Sequence, residues 1–110
     1  MNNKFDYSID KLKYLGNEYG YSMSEKDGIV IFELDDIDVE LTIEGETKTY
    51  SDVTLSFSGD TDEEQDIMYL EAGAEVDMGT YKRYFYFEPS GFKEIEEFIK
   101  NPKSFDLKRF

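Results

Sequence analysis

The residues of this chain that could do chemistry are its carboxylates. Twenty-six Asp and Glu stand against twelve Lys and Arg, a formal charge of −14, with no histidine and no cysteine. That absence excludes Ser–His and Cys–His relays, thiol nucleophiles, Cys/His zinc sites and disulfides. Three uses of carboxylates remain: acid–base work by a pair, a calcium site, or a charged surface. A pair such as Asp35/Asp36 needs a pocket and two well-separated proton affinities. Where acids are this abundant, adjacency carries no information. No glycine-rich phosphate loop is present either, so no catalytic residue, no enzyme activity and no cofactor is expected.

Calcium is the second use. Counting from Asp60, oxygen ligands fall at loop positions 1, 3, 5 and 7 (Asp60, Asp62, Glu64, Asp66), with Glu71 at 12, the spacing of an EF-hand loop. Position 6 is Gln65 where glycine is required, and the flanks read as strands rather than helices. No metal site is expected.

A charged surface is the third use, and the distribution of charge favours it. Between Glu25 and Asp77 there are 18 acids and two bases, Lys26 and Lys48; the flanking parts hold eight acids and ten bases. Within the acidic middle, Asp36, Asp38, Glu40, Thr42, Glu44 and Glu46 alternate with Ile37, Val39, Leu41 and Ile43. Alternation of this kind predicts a strand with one face in the core and one in water. Same-face side chains on a strand lie roughly 6.6 Å apart. Winding stretches the ~3.4 Å axial spacing of phosphates along one nucleic-acid strand to a similar separation. Such a row could present a phosphate-like comb to a basic groove, against the plainer alternative of a solvated face. Asp35, adjoining the row, and the acidic segment Asp60, Asp62, Glu63, Glu64 and Asp66 would extend it.

The elements that position these acids can be read around them. Ser8 caps a helix with Ile9, Leu12, Leu15 and Tyr19 at helical spacing, ending between Gly16 and Gly20. Residues 25–28 read as a turn, and Ile29–Phe32 as a strand buried on both faces. Val53, Leu55 and Phe57 alternate with Thr54, Ser56 and Ser58, which places a hairpin connection within 44–51. Residues 59–66 read as a polar loop. Ile67–Leu70 and Tyr81–Phe87 read as strands joined through residues 73–79, the second of them aromatic on both faces. Pro89-Ser90-Gly91 opens a last helix with Phe92, Ile95, Phe98 and Ile99 as its apolar stripe, stopped at Asn101-Pro102. Phe105, Leu107 and Phe110 should dock the tail. The expectation is a single α+β domain over 1–110, with an N-terminal helix, about five mainly antiparallel strands and a C-terminal helix.

Charge also bounds the partners. Nucleic acid and anionic membrane require a basic footprint, so neither is an expected direct ligand. No apolar run approaches the ~20 residues of a membrane helix, and residues 1–6 lack a signal-peptide core, so a cytoplasmic location is expected. Nine Phe and nine Tyr weigh against disorder. In size, charge and folded β content, though in no matched motif, the chain resembles small acidic phage and mobile-element proteins that block host nucleases, including anti-CRISPR and DNA-mimic proteins. The resemblance implies a stoichiometric inhibitor of a basic nuclease or other nucleic-acid-binding protein. An immunity protein neutralising a basic toxin would share the electrostatics. An adaptor domain with merely solubilising acidity would spread its charge evenly.

Overall fold

Ser8 starts the first helix as its sequence requires. Its hydroxyl accepts the Lys11 N–H at 3.2 Å, and α1 (Ile9–Tyr19) runs until Gly20 turns into the left-handed region at φ 71°. The computed structural model describes residues 8–62, 64 and 67–109, and of positions 61, 62, 67 and 68 the backbone alone. After α1 come β1 (Ser22–Lys26), β2 (Ile29–Leu34), β3 (Val39–Ile43), β4 (Glu46–Tyr50), β5 (Val53–Asp62), β6 (Ile67–Asp77) and β7 (Lys82–Phe87). Helix α2 (Phe92–Lys100), a 3₁₀ turn (Pro102–Ser104) and β8 (Asp106–Arg109) complete the order. The strands form one mixed sheet in the order β1-β2-β5-β6-β7-β8-β3-β4, antiparallel throughout except for the parallel β3–β8 pair.

Both helices lie against one face of this sheet, giving a single α+β domain of two layers. Leu12 and Leu15 of α1 and Phe92, Ile95, Phe98 and Ile99 of α2 meet Val30, Phe32, Leu55, Phe57, Ala72, Ala74, Phe85, Phe87 and Leu107 of the sheet, all buried. Rings run through this core in sequence: Phe32 to Phe57 at 5.4 Å, Phe57 to Phe98 at 6.2 Å, Phe98 to Phe87 at 5.1 Å. Each such pair adds roughly 0.5–1.5 kcal/mol beyond its area burial. Phe105 stacks on Phe87 at 4.8 Å and Leu107 is fully buried, so the tail docks as expected. Phe110 lies outside the described residues, as do the first seven residues.

The sheet has eight strands rather than five, and the differences are physical. β1 and β4 are the two edges of the sheet, and apart from the half-buried Tyr50 their side chains are exposed, so neither carries an apolar alternation to read. β2 is not buried on both faces: Val30, Phe32 and Leu34 face the helices, while Ile29 and Glu33 are exposed. The alternating row does not form one strand. Asp36 and Glu44 both take positive φ, 62° and 50°, and break it at either end, leaving only residues 39–43 in β3. Glu44-Gly45, with φ of 50° and 82°, forms the two-residue turn to β4, so the strand at 53–58 does not pair with the row at all. Residues 73–77 are strand, not connection, and β5 continues to Asp62, so much of the supposed acidic loop is ladder.

Candidate functional site

The acids expected to form a comb are dispersed. Asp35 and Asp36 sit in the turn after β2, and Asp38 precedes β3. Glu40 lies on β3 beside Lys103 at 3.4 Å, Glu44 in the turn beside Arg109 Nε at 2.8 Å, and Glu46 on β4 beside Lys48 at 3.1 Å. Register places Glu46 opposite Ile43, on the face shared by Leu41 rather than the face shared by Glu40. The sequence row holds no base, yet folding brings one to each of these three acids. Glu46 accordingly holds the Lys48 ammonium above its ordinary range, through their hydrogen bond and its charge. The segment 36–46 is therefore no continuous anionic row.

A different acidic surface emerges on the sheet face away from the helices. Pairing aligns Glu33, Thr54, Glu75 and Tyr84 in one row, and Ile31, Ser56, Gly73, Tyr86 and Lys108 in the next. Ser58 then faces Glu71, and Asp60 faces Tyr69. Strand alternation places all of these on the open side. The central members are half-buried by one another, while Glu33, Asp60 and Tyr69 are exposed. Thr, Ser and Tyr in these positions fit a pleated surface that keeps one side wet.

Tyr84 organises the middle of this face. Its hydroxyl donates to Glu71 Oε2 at 2.6 Å and also bonds the Ser56 side chain. Burial first, then the bond to Glu71, push the phenol well above its ordinary range, with Ser56 opposing. The ring lies over Gly73: a Cβ there would come within 2.2 Å of the Tyr84 hydroxyl oxygen and 2.3 Å of two ring carbons. Gly73 does not take positive φ, so space and not backbone conformation demands glycine. Tyr86 lies beside it, ring parallel to within 3° and centroids 6.4 Å apart.

A cleft of ≈440 Å³ opens where this face meets the far end of the β5–β6 hairpin. Asp27, Asp60, Glu71 and Glu88 line it with Ser58 and Tyr69, and no base stands among the described residues of its wall. Four carboxylates, from the β1–β2 turn, β5, β6 and the segment after β7, thus converge on it. Of the acidic segment, Asp60 reaches this cleft; the Asp62 side chain, Glu63 and Asp66 lie outside the described residues, and Glu64 is exposed. The segment is flanked by β5 and β6, not by the helices an EF-hand needs.

Glu33 and Glu75 were thus missed as surface candidates, Glu71 was weighed only as a calcium position, and Tyr84 and Tyr86 only as members of the aromatic strand. Their signal was present in the two-residue spacing of Glu71-x-Gly73-x-Glu75 and Tyr84-x-Tyr86, once both segments are taken as strands exposed on one side. Among the described residues, no helix is long and apolar enough to cross a membrane. Comparison of the chain with protein-family models, with curated proteins and with solved structures found no match.

Proposed function

We propose that this protein is a stoichiometric inhibitor that occupies the nucleic-acid groove of a basic protein, a nuclease or a related nucleic-acid-binding enzyme. The surface that meets the partner is the open sheet face with its adjoining cleft, not the 36–46 row. The observation that supports this most is the convergence of Asp27, Asp60, Glu71 and Glu88 on one cleft with no base in its described wall. Carboxylates so placed compete with phosphates for Lys and Arg, and the charge of −14 speeds the encounter by long-range attraction. Tyr69, 53% exposed at the rim, supplies the aromatic anchor common in such interfaces.

The test is a pull-down from host lysate at low and high salt, followed by competition with duplex DNA. A basic nucleic-acid-binding protein should be retained near 1:1, elute as salt rises, and be displaced by DNA. The triple variant Asp60→Asn, Glu71→Gln, Glu88→Gln should lose most of that retention. Retention that ignores both salt and the triple substitution would refute the proposal. The immunity-protein alternative shares this electrostatics and is separated from it by the partner's identity, a co-produced toxin.

A further inference from the structure

We infer that a cavity between the β3–β4 hairpin and β7 binds a small organic acid, a carboxylate carried on a short apolar body. This cavity stands apart from the acidic cleft, towards the opposite edge of the sheet. The chain has two arginines, Arg83 and Arg109, and both line this one space of ≈180 Å³. Alternation puts Arg83 on the Phe85 side of β7, and Arg109 is the register partner of Phe85 across to β8. The acids of the wall are already engaged: Glu44 meets Arg109 Nε at 2.8 Å and Glu46 meets Lys48 at 3.1 Å. Arg83 is half-buried, and among the described residues its guanidinium meets the ring of Tyr81 at 5.3 Å and no carboxylate. Stacking uses the plane of a guanidinium and leaves its forked N–H donors at the edge. Those donors match a carboxylate, which accepts them in pairs. Three bases against two acids leave the wall one net positive charge, in a chain of −14. A monoanion suits that balance, whereas a phosphate dianion brings a second charge up against Glu44 and Glu46. Ile43, Tyr50, Met78 and Phe85 give the cavity an apolar lining for the body of the acid. One wall comes from β3 and β4 and the other from β7 and β8, so an acid held between them ties the hairpin to β7 directly.

Benzoate, benzamide and inorganic phosphate, each titrated into the full chain, test this. Calorimetry should give benzoate a Kd of about 1 mM. Benzamide, the same shape without the charge, should bind at least about tenfold more weakly, and phosphate should also fall below benzoate. Arg83→Gln should cost benzoate about tenfold in affinity. Arg83→Lys, which keeps the charge and loses the fork, should weaken it as well. Amide exchange through residues 39–50 should slow about tenfold at a benzoate concentration roughly ten times Kd, because the hairpin must shed the acid to open. No benzoate binding by the parent chain overturns the proposal, and so does benzamide or phosphate binding as tightly. Affinity that survives both substitutions at Arg83, or exchange in the hairpin that ignores bound benzoate, overturns it too.

Discussion

Replacing Gly73 with alanine puts the tightest contact of the open face under direct test. The new Cβ would lie 2.2 Å from the Tyr84 hydroxyl oxygen and 2.3 Å from two ring carbons, so the ring must withdraw by about 1 Å to reach ordinary contact. Withdrawal of that size takes the hydroxyl away from Glu71 Oε2, now at 2.6 Å. Forcing extra volume into a packed site costs about 1–3 kcal/mol. Against this, alanine restricts the unfolded chain and favours a strand interior by about 0.5–1 kcal/mol. The net expectation is destabilisation by about 1–2 kcal/mol, or roughly 4–10 °C in Tm for a domain of this size. The double variant Gly73→Ala, Tyr84→Ala should recover part of the loss relative to Tyr84→Ala alone, because the colliding ring is gone; a double-mutant cycle in urea measures that coupling. An alanine variant as stable as the parent, with Tyr84 ring resonances unmoved, would refute the claim that Gly73 exists to seat this ring.

Tyr84 also predicts an alkaline limb. Its phenol is raised in the folded state, so its contribution is fully present below the unfolded value near 10 and is lost as pH rises above that towards the folded value. Melting followed from pH 8 to 11 should show this loss in the parent, and Tyr84→Phe should flatten it. Leu41→Ala should destabilise by roughly 2–5 kcal/mol in urea, since Leu41 is fully buried under the helix layer. Changing Asp36, Asp38 and Glu40 together to Ser should leave stability within about 1 kcal/mol, because the residues are exposed and the ion pair they contribute among the described residues, Glu40–Lys103, is itself exposed. The same triple variant should retain partner affinity within about threefold, since none of these acids lines the acidic cleft.

Apolar periodicity located whatever it was used to build. Leu12 and Leu15, Val53 to Phe57, and Ile95 to Ile99 face the core because burial leaves a mark on sequence at the period of the element. The edge strands β1 and β4 leave no such mark: Ser-Met-Ser-Glu-Lys and Glu-Thr-Lys-Thr-Tyr are exposed almost throughout, and their backbone pairing alone makes them strands. Alternation misled at 36–46 because a period of two does not register a reversal of chain direction. Glu44-Gly45 turns the chain at positive φ while the pattern of charges continues across it. Gly73 misled differently, reading as a connection when its missing side chain leaves room for the Tyr84 ring. Two of the three ion pairs that break up the row were invisible because Lys103 and Arg109 arrive from the far end of the chain.

The position of β8 has a consequence for how the molecule opens. Among the described residues the β3–β4 hairpin joins the rest of the sheet only through β8, by the pairs Thr42 with Asp106 and Ile43 with Leu107, reinforced by the Glu44 N–H to the Leu107 carbonyl at 2.9 Å. Those contacts bridge segments separated by more than half the chain, so the loop closure they require is entropically costly and comes late in assembly. Loss of the four residues of β8 would therefore release the ten of β3 and β4 from the sheet together. Amide exchange should find β3, β4 and β8 opening as one cooperative unit, below the global unfolding free energy, while β2, β5 and β6 stay protected. The acidic cleft, built on β5 and β6, stands in the part that remains closed.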